Sequence, residues 1–476
     1  MQKKFEEHSD FNLSEINKQV LEEWDKNHAS ERSVSKHEGF PHFTFYEGPP
    51  SANGHPGIHH VLARTIKDTI CRYKTMKGFY VPRKAGWDTH GLPVELGVEK
   101  EMEITKDDIG KTVSIEEYNA HCRSNVMKFT AEWENLSRLM GYWVDMKRPY
   151  ITYENYYIES VWWLLHNLYS QGLIYKGYTI QPYSPAAGTG LSSHELNMPG
   201  CYRDVKDTTV TAMFRMTSPQ GAFKTDWGET YFMAWTTTPW TLPSNTALCV
   251  GPKIDYVLVN TFNPYTSQPI SVVMAEARIA SYFNPAGAEA AMENYEKGGK
   301  ILPYRVVAHF KGTDLEGLKY EQLFAYVNPG EGAFRVILGD YVSTEDGTGI
   351  VHIAPTFGAD DAFVAKKAGV PALQLIDKNG NKHPMVDLKG RFYKLEDLDE
   401  DFKQKHMNVD LYKTYAGRFV KNAYDDKLTD KDETLDISIC MELKASGLAF
   451  RIEKHVHNYP HCWRTDKPIL YYPLDS

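Results

Sequence analysis

The chain has 476 residues, of which 42% are hydrophobic and 24% are charged, and its formal net charge is −9. This composition is typical of a soluble globular protein with room for about three domains, and it excludes a uniformly basic nucleic-acid binder. The sequence has no run of the roughly 20 apolar residues that a membrane helix needs and no secretory signal, so we expect a cytoplasmic protein that contacts no membrane.

The N-terminal region predicts a helical extension in front of an α/β region. Apolar residues at helical spacing predict a helix over 12–28, with Ser14 as its N-cap. We assign residues 1–40 to this extension and residues 41–204 to the α/β region with its covering helices.

The α/β region begins with a βαβ pattern. A short strand at 42–46 leads into a loop rich in glycine and proline, which is followed by a helix over 58–77 and a second strand at 79–82. Strand, turn, helix and strand predict a parallel sheet, whose ligands bind beyond the carboxyl ends of the strands. Helices at 115–140 and 152–171 are expected to cover this sheet.

From about residue 205 the pattern changes to short β-rich runs separated by turns. These runs predict a separate, barrel-like domain over 205–430. A helix is expected at 438–449, within a final segment, 431–476, whose tail is extended again. The predicted fold class is therefore α/β with a separate β-rich domain. The strand runs lie at 208–214, 231–238, 256–262, 270–275, 335–343 and 349–354.

Two segments at the predicted sheet edge carry candidate ligand-binding residues. In the first, Gly57 precedes His59 and His60 in the first turn of a helix, where phosphate is favoured and histidines can donate to a phosphorus centre that gains charge. In the second, Asp88 follows a strand and can hold an ammonium group or a ribose. Surface histidines after a turn, and a carboxylate that caps its own turn, explain the same patterns structurally.

The β-rich region contains a third candidate site. Thr237, Thr238 and Thr241 stand near Asn245, and their hydroxyl and amide groups can orient a water molecule on an ester. Asp361, after a glycine-containing turn, can bind an ammonium ion. Because strands favour threonine and turns favour glycine and aspartate, a structural role explains these residues better from the pattern alone.

The class I aminoacyl-tRNA synthetases for branched aliphatic amino acids, above all the isoleucine-specific ones, resemble this chain in four ordered blocks: YEGPPSANG, RYKTMKGFYVPRKAGWDTHGLPVE, YIESVWWLLHNLY and WTTTPWTLPSN. The likeness runs from about residue 12 to residue 476. It implies an enzyme that activates isoleucine with ATP, transfers it to tRNA(Ile) and hydrolyses mischarged valyl-tRNA(Ile).

The resemblance also implies roles for the residues of the first site. Three residues fall on positions of the amino-acid pocket: Gly48, Pro49 and Asp88, the last on the carboxylate that binds the substrate's ammonium group. The family's His-x-Gly-His signature, whose histidines contact the ATP phosphates, falls on residues 57–60. Gly57 and His59 are exchanged relative to that signature and His60 matches it. His59 would then reach phosphate from a shifted position, which leaves open the group beside adenine.

The resemblance implies that residues 41–204 are the first half of a Rossmann-like catalytic domain with covering helices and that residues 205–430 are an editing domain inserted into it. Residues 431–476 would return to the catalytic domain and begin its second half. Six residues fall on editing positions of the family: Thr237, Thr238, Thr241, Asn245, His352 and Asp361. Asp361, rather than Asp360, would hold the α-ammonium group, and His352 would lie at the side-chain or ribose end of the pocket. Isoleucine against valine is itself the standard example of why editing is needed, because one methylene is worth only about 1–3 kcal/mol.

The cofactor expected from the resemblance is ATP with Mg²⁺, the metal being held mainly by phosphates. Relatives often bind zinc through Cys-x-x-Cys pairs near residues 182–195 and 461–465. Here the first segment has no cysteine, and Thr465 stands where the partner of Cys462 would be. One thiolate cannot form a structural zinc site, so we expect no zinc. The expected partners are tRNA(Ile), isoleucine and ATP, and the expected state is a monomer.

The Lys-Met-Ser-Lys-Ser motif of the family is absent, so we expect an N-terminal portion that activates isoleucine poorly or not at all when isolated as residues 1–476. Two alternatives remain. A valyl- or leucyl-tRNA synthetase would share the architecture, and amino-acid-dependent pyrophosphate exchange by the complete enzyme separates these specificities. A non-catalytic RNA-binding fragment is the other, against which the retained Asp88, His60, Thr238 and Asp361 speak.

Overall fold

The computed structural model describes residues 11–296, 298–429 and 431–476. The chain divides into two compact units, Met1–Tyr175 and Lys176–Ser476, and each is a mixture of helices and strands. Residues 1–10 of the predicted N-terminal extension lie outside the described residues. The four domain ranges derived from the sequence stay a prediction.

The described part of the first unit is mostly helical. Its helices are α1 (Leu13–Lys26), α2 (Ala29–Ser35), α3 (Ile58–Met76), α4 (Leu92–Met102), α5 (Ile115–Val126), α6 (Thr130–Leu139) and α7 (Asn155–Ser170), and its strands are β1 (Lys84–Trp87) and β2 (Asp145–Ile151).

The parallel sheet of this unit lies elsewhere than predicted. Strands β1 and β2 pair in parallel, whereas the expected strands at 42–46 and 79–82 are reduced to one parallel bridge between His42 and Tyr80. The helix predicted between those two segments is confirmed as α3. The loop before α3 nevertheless lies at the end of β1, because the Asp88 N–H donates to the Pro50 carbonyl at 3.0 Å.

Two helix predictions for the first unit differ from the structure, one for a local reason and one because of a distant contact. The N-cap of α1 is Asn12, whose side chain accepts from the Glu15 N–H, so the expected cap at Ser14 is wrong. The helix predicted over 115–140 is broken into α5 and α6. The break falls where the Phe129 N–H turns to the Ala52 carbonyl, at 2.9 Å, and so leaves the helical ladder.

Helix α7 forms where expected, but its apolar stripe is exposed. It contains no buried residue, and Trp162, Trp163 and Leu165 are among its exposed side chains. The expectation that this helix covers a sheet is therefore not met among the described residues of the first unit.

The second unit is built around strands. These are β3 (Tyr178–Ser184), β4 (Thr189–Gly190), β5 (Tyr202–Arg215), β6 (Glu229–Thr236), β7 (Ala247–Val250), β8 (Asp255–Phe262), β9 (Pro269–Ala275), β10 (Arg305–Lys311), β11 (Arg335–Leu338), β12 (Ile350–Ile353), β13 (Leu375–Ile376), β14 (Lys382–His383), β15 (Ala449–Pro460) and β16 (Leu470–Asp475).

The helices of the second unit are short. They are α8 (Ser193–Leu196), α9 (Ile279–Tyr282), α10 (Gly312–Leu315), α11 (Ala359–Ala368), α12 (Glu400–His406), α13 (Val409–Tyr412) and α14 (Leu435–Ala445). A 3₁₀ helix over Pro239–Ser244 also bears on the site described below.

The central sheet of the second unit has six strands in the order β10-β8-β9-β6-β5-β15, and β6 pairs with β9 in parallel. A smaller sheet has the order β11-β7-β12 and brings β12 beside β7 in antiparallel register. Buried side chains of both sheets share one core, which includes Phe214, Phe232, Leu248 and Val336. The described pairings form open sheets, and closure into a barrel stays a prediction.

The strand predictions for this unit are confirmed in position, with changes of length. Each of the six runs contains a strand, but the run at 335–343 forms a strand only to Leu338, and the helix expected at 438–449 begins earlier, at Leu435. Within the described ranges, none of the helices has both the length and the apolar character needed to cross a membrane.

Candidate functional site

A cavity of about 480 Å³ in the first unit collects part of the first predicted site. Its lining includes Gly48, Pro49 and His60 from the sequence prediction. It also includes Arg64 and Lys67, which the sequence analysis missed. Because these two follow His60 by four and seven positions on α3, their helical spacing is the signal that would have placed them on the same face.

The exchanged signature residues fit together at the start of α3. The Gly57 N–H donates to Nδ1 of His60 at 2.9 Å, and the rings of His59 and His60 lie 3.8 Å apart. A Cβ atom at position 57 would lie 2.7 Å from Cε1 of His59, so the imidazole of residue 59 occupies the space of a side chain at residue 57. The exchange of glycine and histidine is thus sterically coupled. His59 itself does not line the cavity.

The hydrogen bond to Gly57 also fixes the tautomer of His60. Because Nδ1 accepts a hydrogen bond from the Gly57 N–H, the neutral ring carries its own proton on Nε2. Burial, followed by the neighbouring His59 and Arg64, lowers the pKa of His60 and so favours the neutral form. The ring therefore presents one N–H donor in a cavity that already holds two cationic side chains.

Those cationic side chains are held by buried partners. Lys67 Nζ lies 2.5 Å from the Glu47 carboxylate and 3.3 Å from the Gly48 carbonyl, and Tyr142 donates to the other oxygen of Glu47 at 2.5 Å. Arg64 donates to Ser137 at 2.7 Å. Lys67 therefore ties the Gly48–Pro49 strip to α3.

Asp88 lies next to this cavity but not in its lining. Its N–H donates to the Pro50 carbonyl, and its carboxylate accepts from the His90 N–H at 3.4 Å. The backbone of Asp88 is therefore attached to the strip that carries Gly48 and Pro49.

A second cavity, of about 410 Å³, lies in the second unit. Five of the six predicted editing residues line it: Thr237, Thr238, Thr241, His352 and Asp361. They come from the end of β6, the 3₁₀ helix, β12 and the start of α11, which the two sheets bring together. Residues 237 and 361 are far apart in sequence, so this convergence is a result of the fold.

A hydrogen-bonded chain in this cavity fixes the state of His352. The Thr241 hydroxyl donates to the Thr238 carbonyl at 2.9 Å and lies 3.0 Å from Nε2 of His352. Since the single hydroxyl proton is used on the carbonyl, Nε2 carries a proton and donates to Thr241. Burial lowers the pKa of His352 to about 4, which leaves Nδ1 unprotonated near neutral pH. Nδ1 is buried and has no hydrogen-bond partner among the described residues.

Asp361 is the third residue of α11, and its carboxylate accepts from the Ala354 N–H at 2.8 Å. Burial raises its pKa to about 6, and the neighbouring Asp360 acts in the same direction. A Cβ atom at Gly358 would lie 2.7 Å from Cγ of Asp361, so position 358 needs glycine to leave room for the carboxylate. The cavity therefore contains a carboxylate that lacks a cationic partner among the described residues.

Asn245, the sixth predicted editing residue, belongs to the core. Its amide donates to the Ala247 carbonyl at 2.8 Å, and its carbonyl accepts from Tyr320 at 2.7 Å. Asn245 does not line the cavity. A residue missed from the sequence, Tyr341, does line it; the predicted strand at 335–343 gave no signal for this, because Tyr341 follows the true strand end.

The described residues contain no group of three or more histidine, cysteine, aspartate or glutamate side chains arranged to hold a metal ion. The structure does place a second thiol near Cys462, which the sequence analysis did not foresee. The pKa of Cys201 is raised by burial and by Cys462, and the Cys201 carbonyl accepts from the His461 N–H at 2.7 Å. Because structural zinc sites of the Cys₂His₂ type use two thiols, the expected absence of zinc stays a prediction.

A family model described as tRNA synthetases class I (I, L, M and V) matches residues 19–442, and the chain therefore belongs to that family. Three curated relatives that are similar to it bear the name isoleucine–tRNA ligase. Identity is 70% over the whole chain for the Bacteroides fragilis protein, 65% over the whole chain for that of Porphyromonas gingivalis, and 40% over 97% of the chain for that of Clostridium tetani. The chain spans 42% of the length of the first two relatives and 38% of the third.

Proposed function

We propose that this chain is part of an isoleucine–tRNA ligase, which joins isoleucine to tRNA(Ile) through an adenylate and hydrolyses valyl-tRNA(Ile). Membership of the class I synthetases and the names of relatives at 65% and 70% identity support this choice of amino acid. In this proposal the first unit holds the first half of a Rossmann-like catalytic domain. The β-rich region of the second unit is the inserted editing domain.

Activation is assigned to the first cavity. The isoleucine carboxylate attacks the α-phosphorus of ATP, an acyl–phosphate bond forms and pyrophosphate leaves, with Mg²⁺ bound to the phosphates. The protein contributes position and charge: His60 offers its Nε2–H, Arg64 and Lys67 offer positive charge, and Asp88 holds the ammonium group beside the Gly48–Pro49 strip. A neutral histidine suits this role because it donates without adding a third full charge.

Hydrolysis of the mischarged ester is assigned to the second cavity. The observation that carries this proposal is the convergence of Thr238, Thr241, His352 and Asp361 on one cavity. Asp361 in its ionised form pairs with the α-ammonium group, and His352 lies at the side-chain or ribose end of the pocket. Thr238 orients the attacking water. Water adds to the ester carbonyl, the bond to the ribose oxygen breaks, and free valine and tRNA are the products.

The test is the rate at which the chain releases valine from valyl-tRNA(Ile). Asp361→Ala should lower kcat/KM roughly 10- to 100-fold, because a charge-assisted hydrogen bond contributes about 1.5–3 kcal/mol. The matched control is Asp360→Ala, which removes the adjacent carboxylate outside the cavity lining. It should stay within about twofold of the parent chain.

The comparison between neighbouring carboxylates decides the assignment. If Asp361→Ala releases valine as fast as the parent chain, Asp361 takes no part in the hydrolysis and the proposal is wrong. Equal losses in both variants would point to a general electrostatic effect and would likewise contradict the proposal.

A further inference from the structure

The carboxylate of Asp436 reaches the short helix that carries the threonines of the second cavity. Asp436 is the second residue of α14 and is only 3% exposed. Its Oδ1 accepts from the Trp240 N–H at 2.9 Å. Trp240 is the second residue of the 3₁₀ helix Pro239–Ser244, so a residue almost 200 positions later caps the start of this helix.

The Trp240 N–H has no hydrogen-bond acceptor within the 3₁₀ helix. The first residue, Pro239, has no N–H, and the Thr241 N–H already donates to the Thr238 carbonyl at 3.0 Å. The Trp240 N–H is therefore the first free donor of the helix, and it is buried. An unpartnered buried donor is costly, so the position of this helix depends on an acceptor at Asp436.

The second oxygen of Asp436 faces a buried ionic cluster. Lys421 Nζ lies 3.7 Å from that oxygen and 2.7 Å from Asp207, which also contacts Nε2 of His457 at 3.1 Å. Burial raises the pKa of Asp436 to about 6, against the effect of Lys421. Asp436 thus has two separable contacts, a hydrogen bond to the Trp240 N–H and an ion pair with Lys421.

The capped helix determines the geometry of the cavity. Thr238 is its N-cap residue and Thr241 its third residue. The Thr241 hydroxyl sits between the Thr238 carbonyl and His352, so a displacement of the helix start changes both contacts together. Displacements of about 1 Å are enough to lower enzymatic rates roughly 100-fold.

We infer that Asp436 is a positioning residue of the second cavity: it fixes the start of the helix whose Thr238 and Thr241 face the ester. This inference rests on the proposed hydrolysis. The hydrogen bond to the Trp240 N–H, rather than the ion pair with Lys421, holds the start of this helix in place. A residue of purely structural importance would lower stability and leave the turnover of the folded molecules unchanged.

The experiment measures kcat and KM for release of valine from valyl-tRNA(Ile) by the whole 476-residue chain, at a temperature where every variant is folded. Asp436→Asn keeps an acceptor for the Trp240 N–H, whereas Asp436→Leu has a similar size and no acceptor. Leu443→Ala, at a buried position of α14, is the control for loss of stability alone. Lys421→Met removes the ion pair and keeps the cap.

Asp436→Leu should lower kcat about 10- to 100-fold with KM within about twofold, and Asp436→Asn should restore kcat to within about threefold of the parent. Leu443→Ala and Lys421→Met should lower the melting temperature and keep the parent kcat. Two results overturn the inference: a kcat for Asp436→Leu equal to that of Leu443→Ala, or a loss in Asp436→Asn as large as in Asp436→Leu.

Hydrogen exchange of the Trp240 amide separates this inference from the proposed function. If the parent chain releases no valine at all, the proposed hydrolysis has failed and a catalytic effect of Asp436 fails with it. The amide then tests the structural part. Exchange that is faster in Asp436→Leu than in Leu443→Ala supports the fixation of the helix, and equal exchange in the two variants overturns it.

Discussion

Two opposing effects act on the carboxyl group of Asp361. It lies in the first turn of α11, where the helix dipole favours a negative charge, yet its pKa is raised to about 6 because the group is buried. Burial is therefore the larger effect. The native state binds this proton more tightly than the unfolded state, so between about pH 4 and pH 6 stability falls as the pH rises.

We accordingly expect Asp361→Asn to stabilise the protein at pH 7.5. The neutral amide keeps an acceptor for the Ala354 N–H and removes a buried charge, which should raise the free energy of unfolding by about 1–2 kcal/mol. At pH 4, where the native carboxyl group is protonated, the gain should almost vanish. Urea denaturation of the parent and the variant at both pH values measures this difference.

The exposed Asp360 provides the control for that measurement. Asp360→Asn removes a charge of the same helix turn without relieving burial, so it should change stability by less than about 0.5 kcal/mol. A less stable Asp361→Asn at pH 7.5 would mean that the helix dipole and hydrogen bond outweigh burial. If Asp361→Asn is more stable but no longer deacylates, the charge of Asp361 lowers the stability of the parent protein and is needed for its activity. This trade-off is common at functional sites.

At the scale of elements, the start of α1 distinguishes the sequence prediction from the structure. The Asn12 side chain accepts from the Glu15 N–H at 3.2 Å, so Asn12→Ala should destabilise the first turn by about 1 kcal/mol. Ser14→Ala should have little effect, because Ser14 lies inside the helix. Amide exchange at Glu15 should become about fivefold faster in the first variant and stay nearly unchanged in the second. The reverse ranking would restore Ser14 as the cap.

The elements that could be predicted from the sequence are those specified by their own periodicity. Helix α3 and the strands around β5, β6, β8 and β9 follow from apolar spacing and β-branched runs, and they lie where expected. The wrong N-cap of α1 is a local failure, whereas the break in the helix predicted over 115–140 involves a contact made at a distance. The break between α5 and α6 depends on the Ala52 carbonyl, and no pattern within 115–140 contains that information.

At the scale of the molecule, the candidate site divides in the same way. The family resemblance predicts that Thr238, His352 and Asp361 share one pocket, because spacing alone does not relate Thr238 to residues more than 100 positions later. Asp436 has no such signal, since its role depends on how α14 packs against the 3₁₀ helix. The resemblance also places Asn245 in the pocket, but its amide lies in the core.

The β-rich region predicted at 205–430 is completed by the segment that follows it. Strand β15 pairs with β5 from Ala449 opposite Ala212 to Pro460 opposite Tyr202, and α14 adds buried side chains to the same core.

A fragment of residues 205–430 would leave β5 with an unpaired edge and the Trp240 N–H without its acceptor. We expect that fragment to aggregate or to unfold without a cooperative transition. The fragment 176–476, which keeps both contacts, should melt cooperatively and release valine from valyl-tRNA(Ile) as the whole chain does. Circular dichroism melts of the two fragments measure their cooperativity and melting temperatures, and deacylation is the second readout. If 205–430 melts cooperatively at the same temperature as 176–476, the return segment is dispensable for folding.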